Sequence, residues 1–127
     1  MAIFALEIIG EVQGQQPFYK LLKNNRCFFD EFYDEIMYNA TYKSDLRSIL
    51  VYMNLCANLQ TLPDTKFKQI DRIGKARLYE FKSGGLRIYC LHEEQVGKIV
   101  IIGGYKPSQK QDISRFKNLA EEYLNSK

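Results

Sequence analysis

Four residues in the second half of the chain have the chemistry to handle a phosphate: Lys82, Arg87, Lys106 and Lys110. Guanidinium and ammonium groups bind phosphate oxygens and stabilise charge that develops during phosphoryl transfer. Lys82 and Arg87 flank Gly84-Gly85, and a two-residue loop at that pair places Ser83 opposite Leu86. Lys82 then faces Arg87, Phe81 faces Ile88, Glu80 faces Tyr89 and Tyr79 faces Cys90. Like charges directly opposite one another on a strand pair repel. Either an anion bridges Lys82 and Arg87, or Glu80 neutralises one of them at the surface. A one-residue slip of the register would send Arg87 to the other face.

The elements that must hold these residues follow from periodicity. Alternation along ARLYEFK (76–82) and LRIYCLH (86–92) puts Tyr79, Phe81, Leu86, Ile88 and Cys90 on one face, a sound core. Glu80, Lys82, Arg87 and Tyr89 share the other, with Leu78 and Leu91 further along. KIVIIGG (98–104) is an uninterrupted aliphatic run and reads as a central strand buried on both faces. It hands over to a helix within GGYKPSQKQDISRF (103–116), where Lys106 and Lys110 lie. The helix is expected to start near Gln109, with Ser108 and Gln111 spaced as a capping box. Its free N–H groups favour an anion. Lys110 opposes the helix dipole unless it serves such an anion; the plain alternative is an exposed lysine.

Upstream, FALEII (4–9) reads as a short strand and QGQQP as a loop. Apolar residues from Cys27 to Ala40 recur every three or four positions, predicting an amphipathic helix. A second stripe, Leu46 to Ala57, follows with Ser44 as its N-cap and Asp45 in its first turn. The aromatic positions of these stripes read as core rather than as a base-stacking platform. A short strand is placed around Phe67–Ile73. The prediction is a single α+β domain, residues 1–127, with a mostly antiparallel sheet, an N-terminal helical hairpin and a C-terminal helix.

Composition narrows the function classes. The chain has 127 residues, 46% of them hydrophobic, enough for a packed core. Residues 1–63 carry 5 Lys/Arg against 7 Asp/Glu, while residues 64–127 carry 13 against 8. A basic second half points toward phosphate-bearing partners. The first fourteen residues read as a strand rather than a signal peptide, and no apolar run approaches the roughly 20 residues a membrane helix needs. The three cysteines, Cys27, Cys56 and Cys90, are scattered, which predicts buried thiols in a reducing, cytoplasmic protein without disulfide or zinc. His92 is the only histidine. It is a general base by type, but it falls on the core face near a strand end, among Glu93 and Glu94, and reads as a structural or exposed histidine. The sequence has no nucleotide-binding glycine motif, no hydrolase elbow and no zinc-protease signature, and no cofactor is called for.

The segment LYEFKSGGLRIYCLHEEQVGKIVIIGGYKPSQKQDI resembles the C-terminal part of RelE/HigB-like toxins of type II toxin–antitoxin systems, in particular the phage-derived HigB-like branch. That branch runs approximately L-[WY]-E-[LF]-R, then G-x-[YF]-R-[IV]-x-Y, an aliphatic strand, and F-x-K-K-x-x-K before the last helix. Leu78-Tyr79-Glu80-Phe81 matches the first part, with Lys82 in place of arginine. Leu86-Arg87-Ile88-Tyr89 matches the second; Tyr105, Lys106 and Lys110 match the third, where Pro107 replaces the second lysine. The resemblance implies a β-α-α-β-β-β-α fold and an mRNA endoribonuclease acting on ribosomes, neutralised by a small helix-turn-helix antitoxin. It implies catalytic roles for Arg87, Lys82, Lys106, Lys110, Tyr89 and Tyr105. RNA contacts are expected from Arg77, Lys82, Arg87, Lys106 and Lys110. Two other outcomes share the fold: a ParE-like gyrase inhibitor, and a catalytically silent interaction protein.

Overall fold

The computed structural model describes residues 1–127. Six strands form one sheet: β1 (Phe4–Ile8), β2 (Phe18–Lys23), β3 (Phe67–Ile73), β4 (Ala76–Ser83), β5 (Leu86–Glu93) and β6 (Gly97–Tyr105). Their spatial order is β1-β2-β6-β5-β4-β3. Every neighbouring pair is antiparallel except β2 and β6. Three helices complete the chain: α1 (Phe28–Met37), α2 (Lys43–Ala57) and α3 (Gln109–Asn125). The α+β class, the mostly antiparallel sheet and the C-terminal helix are as the sequence implies. No helix is long and apolar enough to cross a membrane.

The sheet is buried on both sides, because each face has its own helices. Phe29, Phe32 and Ile36 of α1 and Leu46, Ile49, Met53 and Ala57 of α2 pack on Phe18, Phe81, Leu86, Ile88, Cys90 and Val100. Phe116, Leu119, Ala120 and Tyr123 of α3 pack on Leu78, Tyr89, Leu91, Ile99, Ile101 and Ile102. β6 sits third in the order and is buried from Lys98 to Ile102, as an aliphatic run between two helical layers must be. A bulge opposite Tyr89 and Cys90 gives Ile101 no partner on β5 and turns both Ile101 and Ile102 toward α3.

The hairpin register is the expected one: Ser83 pairs with Leu86, Lys82 with Arg87, Glu80 with Tyr89 and Tyr79 with Cys90. Gly84 has φ +53°, the left-handed value demanded of the first loop residue. From the opposite face, Asp45 and Tyr42 close on Gly84 and Gly85, leaving no space for side chains there.

Three local expectations need correction. β2 has no counterpart in the sequence reading: FYKLLK does not alternate, because Phe18 packs toward α1 and α2 while Leu21, three residues on, packs toward α3. Ser44 lies inside α2, whose N-cap is Tyr42, without a side-chain cap. Ser108 does not cap α3 in a capping box either. A 3₁₀ turn, Lys106–Ser108, precedes the helix. The Ser108 hydroxyl lies within hydrogen-bond distance of the Tyr105 carbonyl (3.1 Å) and Asp112 Oδ2 (2.7 Å).

Candidate phosphate site

Lys82, Arg87 and Gly104 form a row across β4, β5 and β6, each directly opposite the next. The pleat turns this row toward α3. The sequence placed these cations on a polar sheet face, but the first turns of α3 roof that face. Arg87 is only 7% exposed and Glu80 4%. The roof exists because the α3 stripe of Phe116, Leu119, Ala120 and Tyr123 needs apolar cover and takes it from the same strands.

Beneath the roof the charges are unevenly matched. Glu80 accepts a hydrogen bond from Gln109 Nε2 at 2.8 Å, and its other oxygen lies 3.9 Å from Lys82 Nζ. Arg87 makes no ion pair. Its Nη1 donates to the carbonyls of Gly84 and Leu86, both at 2.9 Å. Its Nε is buried without an acceptor. Two backbone carbonyls offset part of the cost of burying a guanidinium, but they leave its positive charge uncompensated. Glu80 therefore serves Lys82 and Gln109, and Arg87 is the cation still open to an anion.

Tyr89 lies next to Arg87 on this face. It is fully buried and stacked on Phe116 at 5.4 Å, and its hydroxyl has no partner. Burial pushes its ionisation far upward, and the nearby carboxylates of Glu80 and Asp112 push it the same way. It remains a neutral phenol at any physiological pH.

The remaining expected site residues divide. Lys106 and Lys110 are exposed, on the 3₁₀ turn and the first turn of α3. The Lys106 backbone N–H donates to the Gly85 carbonyl at 2.8 Å, tying this turn to the β4–β5 loop. Tyr105 points the other way, against Phe32 and Tyr42. Its hydroxyl donates to Glu35 Oε2 at 2.6 Å, and burial together with that bond raises its pKa to about 12. Arg77 pairs with His92 on the α2 face, at the opposite end of β4. The fold thus gathers Lys82, Arg87 and Tyr89 beneath the α3 start, with Lys106 and Lys110 following the same β6–α3 junction. It separates Tyr105 and Arg77 from them.

Sequence reasoning missed Gln109, Ser108 and Asp112. The signal for Asp112 was the glycine pair in an aliphatic strand, which marks close approach of other elements. A side chain on Gly104 would collide with Asp112, and one on Gly103 with the Phe32 ring. The absence of side chains on β6 lets α1 and α3 close on it from both faces. No family model, curated protein or solved structure matches this chain.

Proposed function

We propose that this chain is the toxin of a type II toxin–antitoxin system, an mRNA endoribonuclease of the RelE/HigB kind acting in the cytoplasm. The observation that carries the reading is Arg87: a buried guanidinium opposite Lys82, without a carboxylate partner and with an unsatisfied Nε. Such a group is stabilised by a phosphate more than by any protein group beside it. In this reading β2, α1, α2, β4, β5, β6 and α3 supply the family's order of elements, with α1 and α2 as its helical hairpin. β1 and β3 are additions at the two sheet edges.

The ribose 2′-oxygen attacks the adjacent phosphorus and the bond to the 5′-oxygen breaks, leaving a 2′,3′-cyclic phosphate and a 5′-hydroxyl. Arg87 and Lys82 hold the phosphate and stabilise the extra negative charge of the transition state. Lys106 or Lys110 takes the 2′-proton or binds a neighbouring phosphate, the other lysine in its ammonium form or a solvent water gives a proton to the leaving 5′-oxygen, and Tyr89 sets the position of Arg87 from behind. A cognate antitoxin masks these cations with acidic side chains, and salt weakens that masking.

One observation favours a second reading. The Tyr89 hydroxyl and most of Arg87 lie under α3, an arrangement that suits a chain acting by binding alone, as a gyrase inhibitor or a silent relative. Induction of the protein alone is expected to arrest bacterial growth, and ribosome-bound transcripts are expected to show new 5′ ends by primer extension. Normal growth at verified soluble expression removes the toxin reading. Arrest with intact transcripts and failed gyrase supercoiling establishes the second.

A further inference from the structure

At the other end of the sheet a second cationic row crosses four strands. Arg72 pairs with Arg77, Arg77 with His92, and His92 with Lys98. All four lie on the α2 face. In the sequence two of these residues adjoin acids, Asp71-Arg72 and His92-Glu93, so the segment looks balanced. The pleat separates them. Asp71 turns to the α3 face and pairs with Lys117 at 2.6 Å, and Glu93 turns the same way and pairs with Lys127. The acids are neutralised by α3, and the bases are left together.

No member of the row makes an ion pair with a carboxylate. Arg72 Nε donates only to the Gly74 carbonyl, at 3.2 Å. Lys98 is 9% exposed, yet its ammonium has only the His92 Nδ1 at 3.4 Å, the Phe18 ring face at 6.0 Å and the Cys56 thiol beside it. An ammonium can only donate, so as a hydrogen bond this contact uses Nδ1 as the acceptor and leaves the ring proton on Nε2. Glu94 is the one carboxylate that lines the same cleft, with Gln15, Gln16 and Arg77. Three cations around a histidine whose pKa is lowered by burial first, and then by Lys98 and Arg77, is an arrangement that costs stability when empty.

We infer that this row is a docking track for the phosphates of a single-stranded polynucleotide, separate from the Arg87 site. Strands spaced about 4.8 Å apart set the reachable members, Arg72, Arg77 and His92, along roughly 10 Å, with buried Lys98 behind them. That length exceeds what one phosphate can engage, so the fitting ligand repeats its charge. Arginine forks match phosphate oxygens. Phe67 and Tyr79, stacked 4.6 Å apart and half-buried against the core on this side, continue the same face beyond Arg77, and the part of them left exposed is aromatic surface for bases. An acidic peptide offers the charge without the stacking.

The test is binding of a 12-nucleotide oligouridylate by the full chain, titrated against salt. Arg72→Gln/Arg77→Gln is expected to lower the slope of log affinity against log salt by about 1.4, two contacts at about 0.7 each. Lys106→Gln/Lys110→Gln serves as the contrasting arm, because those lysines belong to the other site. In parallel the His92 pKa, followed by NMR, is expected to rise when the oligonucleotide binds, since phosphates offset Lys98 and Arg77. An unchanged slope in the first variant, an unmoved His92, or equal binding of a poly-glutamate peptide of the same length would each overturn the inference. Loss of the whole slope in the second variant alone would overturn it as well, assigning all RNA binding to the α3 end.

Discussion

The two cationic rows of the sheet are built on the same strands and treated in opposite ways. Lys82–Arg87–Gly104 lies under α3, with Glu80, Gln109 and two backbone carbonyls around it. Arg72–Arg77–His92–Lys98 lies on the α2 face, with Glu94 as the carboxylate lining the cleft at Arg77 and His92. The first row is enclosed and pre-arranged, its arginine held by two backbone carbonyls. The second opens toward its Arg72 end and closes at Lys98, so its outer members suit repeated, replaceable contacts. A charge that is enclosed must find compensation locally, whereas a charge at the rim can wait for a partner from solution.

The largest expected effect tests the enclosed row. Arg87→Ala should reduce RNA cleavage by roughly 10²–10³, the usual loss when a donor to transition-state charge is removed. Arg87→Met fills similar space without the charge. It should fold at least as well as the natural chain, because replacing a buried unpaired cation with an apolar side chain is neutral or stabilising. Melting temperature and primer extension on both variants decide. A folded variant with full activity would remove Arg87 from the site, and a strongly destabilised Arg87→Met would make the residue structural.

Gly104→Ala should come next, at about 1–3 kcal/mol of destabilisation by denaturant unfolding. The new methyl collides with Asp112 and pushes the α3 start away from the row. Activity should fall with it, since the roof and the row move together. An unchanged stability would mean that α3 does not hold this close approach in solution.

A smaller, pH-dependent effect belongs to the open row. Burial, Lys98 and Arg77 lower the His92 pKa, with Glu94 acting weakly against them. The unfolded chain therefore takes up this proton first as pH falls. The stability that depends on neutral His92 is complete above about 6.5, the value for a free histidine, and is lost as pH drops through the lower folded value. Lys98→Gln should raise the His92 pKa and flatten that decline. As the single histidine, His92 gives one unambiguous NMR titration curve. A pKa at or above 6.5 in the natural chain would break the contrast between the rows.

The smallest effect is expected from Tyr89→Phe. Its hydroxyl has no partner, so removing it should leave stability unchanged within about 1 kcal/mol, or raise it. Cleavage activity that drops while the melting temperature holds would assign the hydroxyl to the reaction. Unchanged activity would leave Tyr89 as the packing support of Arg87 alone.

Much of this fold was legible in the chain, for local reasons. Gly84-Gly85 between two alternating segments sets a hairpin register, and every partner along it follows by counting. The apolar spacing of 27–40 and 46–57 gives two helices, and the uninterrupted KIVII gives a strand covered on both sides. β2 was not legible, because its burial comes from a parallel neighbour eighty residues away rather than from its own alternation. The candidate site was legible as a pairing of Lys82 with Arg87, and only in part as a set. Tyr105 shares its segment with Lys106, but the pleat turns it to the face of α1 and α2.

By itself, then, the sequence determined which cations stand opposite each other, since register depends on turn chemistry and a period of two. The tertiary structure decided which of them are compensated. α3 crosses one face and brings Lys117 to Asp71, Gln109 to Glu80 and a roof to Arg87, and Lys127 just beyond its end reaches Glu93. Nothing local in the chain encodes those meetings. They arise because the apolar stripe of α3 can be buried only against Leu78, Tyr89, Leu91 and the β6 isoleucines, and its polar residues are carried to wherever that burial places them.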